Sequence, residues 1–287
     1  MPAPQLNIRP ATLDDVLGID AVALEALYGP TAGVDEADRA RWSQARIGHL
    51  VEADPGGAWV AEADGRIAGV ALALLREGIW GFSLFAVSDE LQGRGVGRRL
   101  LERSFAYGDG AARGHIVLSS ESPAAMRLYA RLGLPLRPAV AAAGIPRLDA
   151  MPEAVARVED AGADGLALAD EIGREVRGAG HGLDLPVPLA NGATLLSYED
   201  RGFAAIRGGK LVLLAARDDD AAALLLWSFF SRAGAGVTVQ VDYLTAGQDW
   251  AIRTCIDAGL ALSPDGPMFA GGELGPMRPY VPSGAYL

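Results

Sequence analysis

The segment Leu84–Leu101, with the sequence LFAVSDELQGRGVGRRLL, decides the fold. A strand pattern ends near Val87, and after the glycine-rich run Gln92–Gly97 a helix pattern begins at once. Glycines allow tight turns and let a ligand come close to backbone N–H groups. At a helix N-terminus those N–H groups favour an anion, and nearby arginines add positive charge. The segment therefore predicts a binding site for a pyrophosphate.

The same segment could instead be a glycine-rich turn with solvated arginines and no binding function. It is not a Walker loop, because no Gly-Lys-Ser/Thr sequence follows the glycines. It fits a dinucleotide-binding fingerprint poorly, because the strand comes late in its domain and the last glycine comes too soon.

The segment resembles the signature of the GCN5-related N-acetyltransferase (GNAT) family, Gln/Arg-x-x-Gly-x-Gly/Ala between a strand and a helix. The resemblance implies acetyl-CoA as co-substrate and no metal. It also implies that loop backbone amides hold the CoA pyrophosphate and that strand backbone groups pair with pantetheine like an added strand. A splayed strand would leave an N–H to polarise the thioester carbonyl. The loop residues are Gln92, Gly93, Arg94, Gly95, Val96, Gly97 and Arg98, and the strand residues are Phe85, Ala86 and Val87.

A second family element is Ser122–Leu134, SPAAMRLYARLGL, which is similar to Asn-x-x-Ala-x-x-Leu-Tyr-x-x-x-Gly-Phe. Ser122 replaces the usual Asn and is assigned with the loop to the CoA site. The resemblance implies that Tyr129 is the general acid that protonates the departing CoA thiolate. A phenol, with a pKa of about 10, keeps its proton at neutral pH. The alternative is that Tyr129 is only a residue of an amphipathic helix.

The general base stays open. Some family members carry a Glu on the strand before the loop, and the matching position here is Gly81. Glu77 and Glu25 are candidates, and a water relay is a third option. For either glutamate a solvated surface carboxylate is the simpler interpretation.

The order of strand and helix patterns predicts a mixed α/β fold, β-α-α-β-β-β-α-β-α-β, in the first half. Asp64-Gly65 between two apolar runs indicates a hairpin. The Pro/Ala/Gly-rich stretch Pro138–Pro146 is interpreted as a linker. The predicted domains are residues 1–140, a GNAT acyltransferase domain, and residues 141–287, a degenerate GNAT-like domain with a C-terminal tail.

An internal repeat supports two tandem GNAT-like domains, each a mostly antiparallel mixed sheet flanked by helices. A shift of 126 residues places Ala125–Leu136 on Ala251–Leu262, with five of twelve positions identical. The same shift places Gln92–Gly97 on Asp218–Ala223, whose carboxylates would repel a pyrophosphate. Tyr129 falls on Cys255, which is expected to be a small core residue. The second copy is therefore predicted to have lost CoA binding.

Composition excludes several classes of function. The net charge of -11 argues against a nucleic-acid partner. A single cysteine rules out an intramolecular disulfide and a cysteine zinc site. The sequence shows neither a signal-peptide pattern nor a membrane-span pattern, so a cytoplasmic enzyme with no membrane partner is expected. A homodimer is one arrangement that the sequence allows.

The function that best fits these features is transfer of an acetyl group from acetyl-CoA to a primary amine of a small molecule. Two alternatives stay open: a non-catalytic sensor of CoA or another ligand, and an acetyltransferase for protein N-termini or lysines. The Pro-rich segment Gly275–Leu287 is hypothesised to bring Leu287 near the acceptor, and a frayed tail is the alternative.

Overall fold

The computed structural model describes residues 6–28 and 36–287. The chain divides into two compact units, Met1–Ala112 and Arg113–Leu287. Each unit has a sheet flanked by helices, so the predicted mixed α/β class is confirmed.

The first unit contains a four-stranded antiparallel sheet in the order β1-β2-β3-β4. Its first helix is preceded by a 3-10 turn and followed by a π-helical turn, so the first helical segment has three parts. The Asp64-Gly65 hairpin joins β2 and β3 as predicted. The bounds are β1 Leu6–Pro10, α1 Val16–Ala23, α2 Glu36–Ala53, β2 Ala58–Ala63, β3 Arg66–Arg76, β4 Ile79–Val87 and α3 Val96–Phe105.

The second unit contains a larger sheet, in which one pair of strands, β10 and β11, is parallel. Its strands are β5 Gly114–Leu118, β6 Leu136–Gly144, β7 Glu159–Asp160, β8 Thr194–Tyr198, β9 Gly202–Arg207, β10 Lys210–Ala216, β11 Val239–Thr245, β12 Ala261–Gly272 and β13 Tyr280–Val281. Its helices are α4 Pro123–Arg131, α5 Gly165–Val176, α6 Pro186–Ala190, α7 Asp219–Arg232 and α8 Asp249–Asp257. The order is β5-β12-β6-β11-β10-β9-β8-β7, and β13 pairs with β10.

Strands from the two sequence repeats interleave inside this second sheet. Strand β12, from the second repeat, lies between β5 and β6, from the first. Strand β6 in turn lies between β12 and β11. The last strand of each repeat therefore completes the sheet of the other, and this explains why β5, α4 and β6 belong to the second compact unit.

The prediction that Pro138–Pro146 is a linker is wrong, because most of this stretch forms strand β6. Its small alanines pair with β11 on one side and β12 on the other. Pro138, which has no N–H to donate, sits where the β12 register shifts between Ala139 and Arg137. Along the chain, the first compact unit ends at residue 112 and the second begins at residue 113. The predicted domain boundary at residue 140 follows the repeat and stays a prediction.

The sequence repeat has a structural counterpart. Helices α4 and α8 each have nine residues and start at 123 and 249, which differ by 126, the shift found in the sequence. Strands β5 and β11 precede them at the corresponding positions. The two halves therefore share a fold element by element in this region. Within the residues that the structure describes, no helix is both long and apolar enough to cross a bilayer.

Candidate active site

The glycine-rich loop follows directly from the end of β4. The Ser88 N–H donates to the Ala68 carbonyl across 2.9 Å, and the chain then makes a 3-10 turn that buries Leu91. The Gln92 side chain folds back, with Nε2 donating to the Val87 carbonyl at 3.2 Å and to Asp89 Oδ1 at 2.7 Å. The Gln92 side chain thus links the loop to the end of β4 through these two hydrogen bonds.

Gly93 and Gly95 both adopt the left-handed conformation, with φ of +72° and +78°. Gly95 is the residue immediately before α3. A Cβ placed on either glycine would meet no atom within 4 Å. The glycines therefore serve the backbone conformation, and the surface in front of them is open to a ligand. The first N–H groups of α3 have no partner within the helix, which suits an anion such as a pyrophosphate.

Helix α3 is held firmly against the sheet. Val96, Leu100 and Leu101 are buried, and they face one side of the helix. The close approach depends on Gly69 in β3, because a Cβ there would lie 3.0 Å from Leu100 Cδ1. The N-terminus of α3 is consequently fixed by apolar packing on one side and is open to solvent on the other.

Three arginines of the segment remain on the solvent side, namely Arg94, Arg98 and Arg99. Arg98 Nε donates to Glu102 Oε1 at 2.7 Å, one helical turn further along. Glu102 therefore compensates Arg98, whereas Arg94 and Arg99 place exposed positive charge beside the glycines of the loop. Positive charge at this point agrees with an anionic ligand.

Strand β4 contains an irregularity just before the predicted pantetheine-binding residues. The register with β3 shifts between Leu72 and Ala73, which leaves Ser83 as the additional residue. Arg46, from α2, donates to Ser83 Oγ at 2.9 Å and to the Ser83 carbonyl. Arg46 was not predicted, because an arginine in the middle of an amphipathic helix gives no sequence signal.

Beyond the irregularity β4 is regular again. Phe85, Ala86 and Val87 lie opposite Ala71, Val70 and Gly69 of β3. Strand β4 is the last strand of the first unit's sheet. Pairing of these three residues with pantetheine stays a prediction.

The carboxylates considered as a general base are both exposed. Glu77 occupies the turn between β3 and β4 with a φ of +47°, and Glu25 lies in the π-helical turn after α1. Gly81, at the position of the family's glutamate, pairs with Leu74 in the middle of the sheet. The structure therefore adds no support for either glutamate as the general base.

Tyr129 lies on α4 in the second unit and is 4% exposed. Its ring makes an edge-to-face contact with Phe269 of β12, at 5.6 Å between centroids. Burial raises the pKa of Tyr129 well above that of a free phenol, and the nearby Tyr243 raises it further. The phenol therefore holds its proton throughout the neutral range, as a general acid must before it acts.

Ser122 caps α4. Its Oγ accepts a hydrogen bond from the Ala125 N–H at 3.5 Å, and Pro123 follows at the first helical position. The residue has a structural role that accounts for its presence. Its assignment to the CoA site stays a prediction.

The corresponding segment of the second repeat is built differently. Asp218 caps α7 by accepting the Ala221 N–H at 2.9 Å, and it binds Arg201 with both carboxylate oxygens, at 2.6 and 2.9 Å. A carboxylate of the chain thus accepts an N–H group at the start of α7, whereas the first repeat has open space before the glycines that precede α3. Cys255 is fully buried, and burial raises the pKa of its thiol to about 12, so it is a core residue as expected.

The predicted site residues fall into two groups. The loop and strand residues belong to the first unit, and Ser122 and Tyr129 belong to the second. In the described part of the chain, no three His, Cys, Asp or Glu side chains form a cluster that could hold a metal ion.

A comparison with known protein families gives one match. Residues 54–133 match the model of the acetyltransferase (GNAT) domain. Among curated proteins no significant match was found.

Solved structures support the same fold over the whole chain. A candidate acetyltransferase from Pyrococcus horikoshii matches with a TM-score of 0.81 at 18% identity, covering 98% of this chain and 96% of its own. A GCN5-related N-acetyltransferase from Sphaerobacter thermophilus matches with a TM-score of 0.56 at 17% identity and 98% coverage of both chains. A tandem GNAT protein from the clavulanic acid biosynthesis pathway matches with a TM-score of 0.57 at 13% identity, covering 93% of this chain and 98% of its own. Residues 54–133 therefore match a GNAT domain, and the fold of the whole chain is similar to that of these proteins, one of which is a tandem GNAT protein.

Proposed function

We propose that this protein transfers the acetyl group of acetyl-CoA to a primary amine of a small molecule. The observation that carries the proposal is the loop at Gly95, where a left-handed glycine opens the N-terminus of α3 to an anion. The matched GNAT domain includes this loop and supports acetyl-CoA as the donor.

The role of the loop would be to bind the CoA pyrophosphate. The residues would act through backbone N–H groups, which explains why Gly93 and Gly95 have no side chain in the open space before them. The Gln92 side chain would stabilise the conformation of the loop through its hydrogen bonds to the Val87 carbonyl and to Asp89. The backbone of Phe85, Ala86 and Val87 would hold pantetheine.

The chemical step is acyl transfer by direct attack. The lone pair of the neutral amine forms a bond to the thioester carbonyl carbon, and collapse of the tetrahedral intermediate breaks the C–S bond. The sulfur leaves as a thiolate and takes the phenolic proton of Tyr129. The amine nitrogen loses one proton to solvent or to a base, and the Tyr129 phenolate takes one proton from solvent, which leaves an amide and CoA as products and restores the phenol. Because burial raises its pKa, Tyr129 enters the reaction protonated.

The charge of the protein favours a cationic acceptor. The net charge of -11 attracts polyamines and amino sugars and repels acidic acceptors. The acceptor must still lose its proton before attack, so the rate should rise with pH until the bound amine is neutral.

The experiment measures CoA release with a thiol reagent, using acetyl-CoA and a panel of amines. Tyr129→Phe should lower kcat by about 10²–10⁴-fold and leave the acetyl-CoA dissociation constant unchanged. Tyr107→Phe is the matched control, because the Tyr107 hydroxyl bonds to Asp54 and has no assigned role in the reaction. A protein that binds acetyl-CoA but turns over no amine would favour the sensor. A protein that does not bind acetyl-CoA contradicts the proposal.

A further inference from the structure

Strand β4 reverses the alternation of its side chains just before the residues that would hold pantetheine. Phe82 and Leu84 lie opposite two consecutive residues of β3, so Ser83 between them is additional. In a regular strand, side chains three residues apart point to opposite faces. The rings of Phe82 and Phe85 are nevertheless 5.3 Å apart between centroids. The additional residue therefore brings Phe85 to the same face as Phe82.

The place of this additional residue decides how the following backbone is presented. Phe85, Ala86 and Val87 come directly after the irregularity, and the Val87 carbonyl accepts the hydrogen bond from Gln92 Nε2. A slip of the pairing by one residue would turn each side chain to the other face of the sheet, and each N–H and C=O group to the other edge of the strand. A β4 backbone that binds a ligand therefore needs the additional residue at a fixed position.

Arg46 of α2 binds the additional residue through both its side chain and its backbone. Nη2 donates to Ser83 Oγ at 2.9 Å and to the Ser83 carbonyl, and Nε donates to the same Oγ at 3.3 Å. Because the guanidinium is planar and its N–H groups have fixed directions, these bonds restrain Ser83 in more than one direction. Ser83 is 8% exposed, so little water competes for them.

Helix α2 provides a fixed base for Arg46. Ile47 and Leu50, one and four residues after Arg46, are both buried, and α2 contacts β3. A helix anchored in this way cannot follow β4 if the strand slips. A slip would therefore leave the Ser83 carbonyl without the guanidinium as donor at a buried position, which is unfavourable. The hydrogen bonds of Arg46 consequently oppose movement of the additional residue along β4.

We propose that Arg46 is a positioning residue for acyl-CoA, which acts through Ser83 to fix the register of β4 and with it the backbone of Phe85–Val87. The inference rests on the proposed function, in which this backbone holds pantetheine. The loop at Gly95 would hold the pyrophosphate, and α3 behind it is fixed by its own apolar packing. Loss of Arg46 should therefore weaken binding of the pantetheine and thioester end of the ligand and spare the nucleotide end.

The test compares two arginines of α2 in the full chain. Arg46→Met removes the donors to Ser83. Arg39→Met is the matched control, because Arg39 is also partly buried and donates to Asp20 of α1 at 3.0 Å. For Arg46→Met we expect the Kd of acetyl-CoA, measured by calorimetry, to rise about tenfold or more, about 1.4 kcal/mol. The Kd of 3′-phospho-ADP, which is CoA without pantetheine, should stay within about twofold of native. Arg39→Met should keep both native values.

Two further measurements separate positioning from a general loss of stability. Arg46→Lys should recover part of the acetyl-CoA affinity, because the ammonium group can still donate to the Ser83 carbonyl. Hydrogen exchange should become faster in β4 of Arg46→Met than in β4 of Arg39→Met, with α3 unchanged. A merely structural role would lower the melting temperature and accelerate exchange throughout the first unit, and it would weaken both ligands alike.

The outcomes distinguish this inference from the proposed function. If the native protein binds acetyl-CoA and folded Arg46→Met binds it equally tightly, the inference is wrong and the function stands. Equal losses for the two ligands, or in the two variants, also overturn it. If Arg46→Met does not fold, Arg46→Lys takes its place in the comparison, and if 3′-phospho-ADP binds too weakly to measure, the exchange rates of β4 decide. A native protein that binds neither ligand overturns the proposed function and this inference with it.

Discussion

Arg177 Nη1 donates a hydrogen bond to the main-chain oxygen of Leu287 across 2.7 Å, although the two residues are 110 positions apart. Arg177 is 1% exposed, and its other N–H groups reach the carbonyls of Tyr286, Ala179 and Gly180. The Tyr280 hydroxyl donates to the same Leu287 oxygen at 2.6 Å. The segment is therefore anchored and buried, so the alternative of a frayed tail is wrong. That Leu287 lies near the acceptor stays a prediction.

Replacing Arg177 with Leu should destabilise the protein strongly. The substitution leaves several buried carbonyl groups without a donor, and we expect a loss of about 3–5 kcal/mol in the free energy of unfolding. Urea denaturation measures the loss, and limited proteolysis should cut first near residues 280–287. Arg174→Leu, three residues earlier and in the last turn of α5, is the control. Arg174 is about half exposed and pairs loosely with Asp170 at 3.8 Å, so its loss should change stability by less than about 1 kcal/mol. Equal losses in the two variants would contradict the anchor.

The buried His181 should make stability depend on pH. Burial and the charge of Arg177 hold its pKa well below the usual 6.5, so the folded protein keeps the ring neutral. The unfolded chain binds a proton near pH 6.5, so stability is complete above this pH and falls below it, by up to about 1.4 kcal/mol per pH unit. His181→Gln should flatten this slope when unfolding is followed in urea from pH 8 to pH 5. Partial burial also lowers the pKa of His115, so His115→Gln should flatten the dependence of stability on pH as well, but less than His181→Gln does. Parallel curves for native and His181→Gln would contradict the prediction.

Local patterns predicted much of the secondary structure. The hairpin at Asp64-Gly65 forms as predicted, and helix α4 lies within the motif segment Ser122–Leu134. Strand β12 was not predicted, because Pro264, Gly266 and Pro267 interrupt it and resemble a loop. Its partners β5 and β6 are more than a hundred residues earlier in the chain, and no local pattern records such pairing.

The candidate site shows the same limit. The glycine loop and Tyr129 are recognisable because they belong to motifs that have particular residues at fixed spacing. Arg46, which bonds to Ser83 at the irregularity of β4, has no such pattern. The unusual conformation of Tyr243 could not be predicted either, because the sequence shows neither its positive φ nor the hydrogen bond from its N–H to a carboxylate on another strand.

A single methyl group should separate the conformational role of Gly95 from its role in binding. Gly95→Ala places a Cβ at a φ of +78°, which costs about 1 kcal/mol, and it also places the methyl group in the open space before α3. We expect acetyl-CoA binding to weaken about tenfold or more, measured by calorimetry. Gly65→Ala is the matched control, with a φ of +77° and equally open surroundings in the β2–β3 turn. It should lose similar stability and keep native affinity. Weaker binding in both variants would assign the effect to general destabilisation.

The interleaved strands predict that the first repeat does not fold without the second. A chain that ends at residue 150 lacks β12, so β5 loses the partner of its residues 114–118 and β6 loses a partner along most of its length. Tyr129 also loses Phe269, the aromatic side chain that helps to bury it. Two unpaired edges and an uncovered apolar surface favour aggregation.

We therefore expect residues 1–150 alone to be insoluble, or to lack cooperative unfolding when followed by circular dichroism. Co-expression of residues 151–287 as a separate chain should restore a soluble complex, because it supplies β12 in trans. A second complementing chain that ends at residue 258, just before β12, is the matched control and should not rescue. If residues 1–150 fold cooperatively and bind acetyl-CoA alone, β12 is not needed to complete the catalytic half. Dependence on β12 would give a structural role to the second repeat, which has neither the glycine loop nor the tyrosine: it provides a strand that the first repeat cannot make for itself.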